Sequence, residues 1–511
     1  MIARFLERFD DWINPVTVKE LRQAVRGRFV ATILSLALLA QCIAIAAIIL
    51  SGKVNTELFT TVPAGPAAFG VIFTVVFTAC LFFVPLYVGV RMVAERSDTN
   101  VDLFFITTIK PRTIVFGKLL AVLALVTLIF SASLPFLVFS YVLRGVDLFA
   151  IGMLLVLAYL LIASQAVAAL FVGCIPTSKP FKIILAFVLL GFSAMSQAPM
   201  LLAAAQMMNS GPSLLASSDF WKIMGIFVMS IGVIDALLLV LTIALITPLS
   251  ANRALPVRIT MSILWLVSLI PAALVVLTTP SARELLLVWT IAQCVLVSLV
   301  LMSAIGERDR WGPRVAKTIP ANPFKRAFAF LFYSGGAGGT LWVIHFFILT
   351  IVAYAVIDAQ APVPTFNVPI SATRDLIDGL LCVFGYAMTA LLLRRTLLQR
   401  VPPRATWAIA MAVFILGAII PPLIVLMISM DGADPGIYSF ATIANPFPRQ
   451  DMRGDPTRTF LLVAWVASMT FANFKWFTGQ WRRFKPEGER PARISPDVSS
   501  GEVLSDERQP A

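Results

Sequence analysis

The sequence predicts an all-α, polytopic integral membrane protein with about twelve transmembrane helices and both termini in the cytoplasm. Three observations predict it. The chain is 59% hydrophobic and only 13% charged, with a mean hydropathy of +0.90, whereas soluble domains carry roughly 25% charged residues. Apolar runs of about 20 residues, the length that crosses some 30 Å of hydrocarbon, recur along almost the whole chain. Finally, with the N-terminus inside, 32 of the 40 Lys and Arg fall on the cytoplasmic side and 8 on the other, as the retention of basic residues requires. One miscounted early span would invert every later loop and erode that bias, so the count and the bias support each other. The net charge of +13 is therefore a topology signal. It is spread among loops, so it does not point to nucleic acid.

The first element precedes the membrane. In NPVTVKELRQAVRGRFV, residues 14–30, Asn14 is a good N-cap and Pro15 a good first helical residue. At 100° per residue Val18, Leu21, Val25 and Phe29 fall within about an 80° arc, with Lys19, Arg22 and Arg26 on one flank and Arg28 on the other. That pattern predicts an interfacial helix with its cations snorkelling to phosphates. The spans follow at residues 29–50, 69–90, 119–142, 149–173, 183–205, 223–246, 259–277, 285–304, 340–357, 376–393, 406–430 and 459–480. The first of these is too long for the apolar region of a cleavable signal and follows a basic segment, so it should be retained.

Between the second and third spans, residues 91–118 read RMVAERSDTNVDLFFITTIKPRTIVFGK. A plain connector would be shorter, and this one frames an apolar, helix-length run with charges at both ends. It reads as a contact surface. The chain divides near residue 251, where SANRALPVR interrupts the apolar sequence after six spans. The expected organisation is a connecting helix in 1–28, a six-helix module in 29–250 with its loop at 91–118, a further six-helix region in 251–481, and a tail in 482–511. A long cytoplasmic loop, 306–339, ends in the glycine cluster YSGGAGGT, suited either to close packing of the ninth helix or to a flexible entry. No internal repeat relates the halves. The Pro-, Glu-, Arg- and Ser-rich tail has the composition of a disordered segment.

Polar groups inside spans are few, and each is expensive there. Asp235 is the only acid in the first six spans. With Gln41 and Gln165 it could line a polar path, or hydrogen-bond to one of them in a structural role. His345, the only histidine, suits an interhelical hydrogen bond, and Lys475 lies close enough to a span end to snorkel. Cys42, Cys80, Cys174, Cys294 and Cys382 all fall inside spans without a CxxC pair, so small packing residues are expected, with neither disulfides nor a metal site.

Two motifs resemble the permease subunits of type 2 ABC exporters. That family carries Asn-Pro-x-x-x-Lys/Arg-Glu-Leu-Arg before the first span, and Asn14, Pro15, Lys19, Glu20, Leu21 and Arg22 match it position for position. Its second-to-third-span loop carries Glu-Arg, a Gly-Thr-Leu-Glu-led apolar run, Ser-Pro-Arg and Gly-Lys. Here Glu95 and Arg96, Asp102 with Leu103, Phe104, Phe105 and Ile106, then Lys110, Pro111 and Arg112, and finally Gly117 and Lys118 keep that register. Thr99 and Thr108 stand where the family usually has Gly and Pro. The resemblance covers residues 14 to about 150 well and continues in outline to about 250.

The resemblance implies a multi-pass protein of the plasma membrane, the inner membrane in a bacterium, that exports its substrate with a separate ABC ATPase. The loop would be a coupling helix seated on that ATPase, whose ATP and magnesium lie on the partner chain. A stiff helix with an apolar face can transmit force, whereas the same face on lipid would make an interfacial helix. Two permease modules are expected to enclose a path, as a homodimer or with a related permease. This chain holds no P-loop: Gly52-Lys53 is followed by Val54 and Gly117-Lys118 by Leu119, where GxxxxGK[ST] needs a hydroxyl. No catalytic residues or cofactor are therefore assigned to it.

Two other classes fit less of the sequence. A twelve-helix facilitator would share the span count but needs intramembrane carboxylates or broken helices. A membrane enzyme or assembly factor would need clustered acids or histidines at a membrane edge. The nearest cluster, Asp431, Asp434, Asp451 and Asp455, is interleaved with Arg449, Arg453 and Arg458 and reads as a solvated outer loop.

Overall fold

The computed structural model describes residues 14–54, 65–95, 110–143, 145–177, 179–248, 250–278, 283–307, 311–360, 370–430, 443, 445 and 456–486. Among these residues every regular element is helical, and no strand occurs. Eleven helices are long and apolar enough to cross a membrane, or twelve if one bent pair counts as a span. The protein is thus an all-α, multi-pass membrane protein. Lipid offers no partners for backbone polar groups, and a helix satisfies them within one segment.

Helix α1 (Pro15–Arg26) precedes α2 (Arg28–Val54), α3 (Gly65–Glu95), α4 (Pro111–Val142), α5 (Leu148–Cys174), α6 (Lys179–Ala216), α7 (Ser218–Ile246) and α8 (Ala254–Thr278). Residues up to 249 together with 253–275 form one compact unit, so the seventh span packs with the first six rather than opening the second unit. The centre of this unit is α3. Its residues Phe69, Ile72, Phe73, Val76, Phe77, Cys80 and Leu81 are fully buried. Three of those rings stack along one face, Phe69 on Phe73 at 5.4 Å and Phe73 on Phe77 at 5.6 Å. Near the far end of α3, a Cβ on Gly173 of α5 would lie 2.8 Å from Met92 Cβ. Glycine there lets the two helices close together.

The second unit comprises 250–252 and the chain from 276 onward. It contains α9 (Arg283–Ala304), α10 (Pro313–Ala316), α11 (Pro323–Phe332), α12 (Gly336–Gln360), α13 (Ile370–Thr396), α14 (Thr406–Phe414), α15 (Ile420–Met430), α16 (Pro456–Ala472) and α17 (Phe474–Arg483). A π-helical turn, Ile415–Ile419, joins α14 to α15, and within it a Cβ on Gly417 would meet Tyr386 Oη at 2.7 Å. The predicted twelfth span, 459–480, breaks at Asn473, with α16 and α17 bent by 46°. Asn473 is fully buried and donates to Met388 O at 3.0 Å, holding that corner against α13. Lys475 lies beyond the break and is exposed.

The described part of the loop at 306–339 is folded. Asn252 Oδ1 accepts from Ser334 N at 3.0 Å and Ser334 Oγ at 2.6 Å, and Tyr333 Oη donates to Thr318 O at 2.8 Å. Close packing is the role of the glycine cluster: a Cβ on Gly335 would lie 2.8 Å from Trp311, one on Gly336 2.8 Å from Trp476, and one on Gly338 would overlap the Phe330 carbonyl oxygen. Residues 482–483 end α17, and 487–511 of the predicted tail lie outside the described residues.

Candidate functional site

Asn14 both starts α1 and fastens it. Its Oδ1 accepts from Val16 N at 3.0 Å, the N-cap bond that the motif predicts, while its Nδ2 donates to Thr113 O at 2.6 Å in the first turn of α4. The amide supplies acceptor and donor together, which neither an ionised Asp nor a short Ser side chain could do here. Three residues on, Thr17 Oγ1 donates to Gly117 O at 3.1 Å. The two helices approach closely at that point, because a Cβ on Gly117 would lie 2.7 Å from Asn14 Nδ2 and 2.8 Å from Val16 Cβ. Glycine is thus required by the neighbour and not by its own backbone.

One turn further along α1, Glu20 enters a charged cluster with α3 and α4. Lys118 Nζ lies 2.8 Å from Glu20 Oε1 and 2.6 Å from Glu95 Oε2, and Arg91 Nε lies 3.4 Å from Glu20 Oε2. The Lys118 and Glu20 side chains are 6% and 8% exposed. Arg91 also donates to Gln23 Oε1 and stands over the Tyr87 ring at 5.6 Å. Glu95 closes α3, where a carboxylate faces the negative end of the helix dipole, and Lys118 offsets that repulsion. The cluster lines a small cleft with Ala24, Tyr87 and Leu125.

The three motif segments therefore converge, although 98 residues separate Glu20 from Lys118. Asn14, Glu20, Glu95, Gly117 and Lys118 form one inward-facing clasp. Lys19, Arg22, Lys110 and Arg112 point outward and are exposed, as is Pro15, while Leu21 and Pro111 are half-buried. Arg96, Asp102, Leu103, Phe104 and Phe105 lie outside the described residues. The ends of their segment are nonetheless defined, since Glu95 and Lys118 are ion-paired across its base. Sequence reasoning missed Thr17, Gln23, Tyr87 and Arg91. Tyr87, Arg91 and Glu95 recur at every fourth residue, so they share one face of α3; that spacing was the available signal.

Helix α1 presents a polar strip to the protein. Thr17, Glu20 and Ala24 are buried, whereas Val25 is 63% exposed and Val18 and Leu21 are partly so. The apolar arc that predicted an interfacial helix thus remains open beside the basic flank. Gly117→Ala is expected to cost about 1–3 kcal/mol by overpacking this contact. Thermal unfolding of the purified protein in detergent checks it, and an unchanged midpoint would mean that α1 can slide away freely.

The intramembrane polar groups do not pair as expected. Asp235 accepts from Ser164 Oγ at 2.7 Å, and neither Gln41 nor Gln165 is its partner. Gln165 Oε1 accepts from Ser193 at 3.0 Å, and Gln41 Nε2 donates to Ser133 Oγ at 3.0 Å and Ala37 O at 3.1 Å. Ser164 and Gln165 are adjacent on α5, so they turn to different neighbours, α7 and α6. His345 is exposed on α12 beside the Phe346 ring, with no interhelical hydrogen bond recorded among the described residues. Arg458, read as a solvated loop charge, is instead fully buried with Asp378 at 3.1 Å and donates to Ile443 O and Asn445 O. All five cysteines are free, only Cys42 is exposed, and no cluster of potential metal ligands occurs among the described residues.

Compared with family models, with curated proteins and with solved structures, the chain matches none.

Proposed function

We propose that this chain is the membrane-spanning subunit of an ATP-driven exporter of the type 2 ABC class, coupled to a separate ATPase through residues 96–110. The observation that carries the reading is the clasp. Segments that resemble the family's connecting helix and both ends of its coupling loop meet in one ion-paired cluster with Glu20 and Lys118 buried at its centre. A force on the loop would reach α1, α3 and α4 together, because Glu95 and Lys118 tie the loop's base to Glu20. Stiff helices joined by a buried network can carry such a displacement.

In this reading Leu103, Phe104 and Phe105 seat in an apolar groove of the ATPase, and Arg96, Lys110 and Arg112 contact its rim. The ATPase supplies ATP and magnesium and is present in two copies. A dimer of this chain, or a pair with a related permease, encloses the path of a hydrophobic or amphiphilic substrate or a polymer. The membrane is the plasma membrane, the inner one in a bacterium. Changing Leu103, Phe104 and Phe105 together to Ser should abolish co-purification of the ATPase without lowering the yield of folded permease. An ATPase that stayed bound to that variant would remove the loop from the coupling role. Proton-driven flux without any ATPase would favour a facilitator instead.

A further inference from the structure

Helix α11 (Pro323–Phe332) is built like α1 but belongs to the second unit. Asn322 caps it, accepting from Phe324 N at 2.9 Å and Lys325 N at 3.4 Å, and Pro323 is its first residue. At 100° per residue Phe324, Phe328, Leu331 and Phe332 fall within about a 100° arc, and Phe330 lies on the other side. That other side is fixed to the protein: the Phe330 ring meets Trp481 at 5.2 Å, Phe484 at 5.3 Å and Trp311 at 6.4 Å. The Phe330 carbonyl also lies against Gly338, in the first turn of α12. The helix is therefore held against the end of a membrane span.

Its first face is left uncovered. Phe324 is 85% and Phe328 64% exposed, and Phe328 touches only its own neighbour Phe332, at 5.1 Å, among the recorded ring contacts. Lys325 flanks the apolar arc, and Arg314 and Lys317, both exposed, precede the helix. From residue 310 to residue 357 the sequence contains no Asp or Glu. An uncovered aromatic face flanked by Lys325, preceded by Arg314 and Lys317 and held at a span end is complementary to an anionic membrane surface.

We propose that α11 is a membrane-surface helix. It buries Phe324 and Phe328 at the boundary of headgroups and acyl chains, and Lys325, Arg314 and Lys317 engage anionic lipid. This does not depend on the exporter reading.

The test uses the full chain with Cys42→Ala, since Cys42 is the exposed cysteine. Single nitroxide labels are placed at Phe324→Cys, Phe328→Cys and the exposed Ala321→Cys. The proteins are reconstituted in nanodiscs of phosphatidylcholine, with or without phosphatidylglycerol. Labels at 324 and 328 should show a several-fold higher ratio of oxygen to nickel-chelate accessibility than the label at 321, rising further with phosphatidylglycerol. Ratios equal to that at 321 would place the face in water, and low access to both reagents would place it under protein; either result overturns the proposal. An unchanged ratio on adding phosphatidylglycerol would overturn the anionic preference. The substituted side chains are exposed, so the core packing of α11 is not at stake.

Discussion

Lys118→Met is expected to destabilise the first unit by about 3–5 kcal/mol, because it leaves the buried carboxylate of Glu20 and the partly buried one of Glu95 without their shared cation. The ammonium lies within 2.8 Å of both acids, so its removal converts attraction into repulsion in a place that water scarcely reaches. Arg91 stays beside Glu20 at 3.4 Å and limits the loss on that side. Glu95 has no such second cation in direct contact among the recorded ion pairs and bears most of the effect. Adding Glu20→Gln and Glu95→Gln to Lys118→Met should recover most of the stability, since neutral amides do not repel. Thermal or denaturant unfolding in detergent reads both variants. A triple variant as unstable as Lys118→Met would show that packing of the lysine stem, and not charge, is what holds the clasp.

Arg458→Met is expected to have a comparable effect in the second unit, again about 3–5 kcal/mol. Both members of the Asp378–Arg458 pair are fully buried, and the guanidinium also satisfies Ile443 O at 3.3 Å and Asn445 O at 2.7 Å. Methionine can fill the space of the stem but leaves one carboxylate and two carbonyls without their donor. The pair ties α13 to α16 near the first turn of the latter, so its loss should loosen the last span selectively. Asp378→Leu combined with Arg458→Met should be less damaging than Arg458→Met alone, because the buried charge goes with its partner. Unfolding midpoints and limited proteolysis around residues 443–458 measure the difference. If the double variant were the worse of the two, the carbonyl contacts of Arg458 would outweigh its ion pair.

How far the sequence discloses the molecule follows the range of each interaction. Spans are legible because a bilayer demands long apolar runs and backbone bonds closed within one helix. Asn14 and Pro15 are legible because capping is local, and the structure places them where the motif does. The ion pairs are different. Glu20, Glu95 and Lys118 each stood in a recognisable motif, yet nothing in their spacing says that the three side chains meet. The resemblance assigns Glu95 and Lys118 to contact with the ATPase and gives Glu20 no contact at all.

Arg458 shows the same limit from the other side. Surrounded by aspartates and arginines in sequence, it resembles a solvated loop residue, and only the approach of α13 to α16 brings Asp378 to it. Asp235 stands out as an acid within a span, but its partner depends on the rotation of α5, which turns Ser164 and not Gln165 toward α7. The glycine cluster carried two readings of equal standing, and the aromatic rings packed on Gly335 and Gly336 decide for close packing. The bend at Asn473 was hidden inside an apolar run, because one buried amide can turn a helix without altering its hydropathy.

The claim that energy enters through residues 96–110 is tested most directly in the native membrane. A photo-crosslinking amino acid at position 104, with position 324 as a second site, is activated in cells and the adducts are identified by mass spectrometry. The exporter reading predicts that position 104 captures a polypeptide bearing a P-loop, GxxxxGK[ST], and the separate proposal for α11 predicts that position 324 captures lipid. Capture of lipid alone at position 104 would make the loop an interfacial helix and contradict the coupling role.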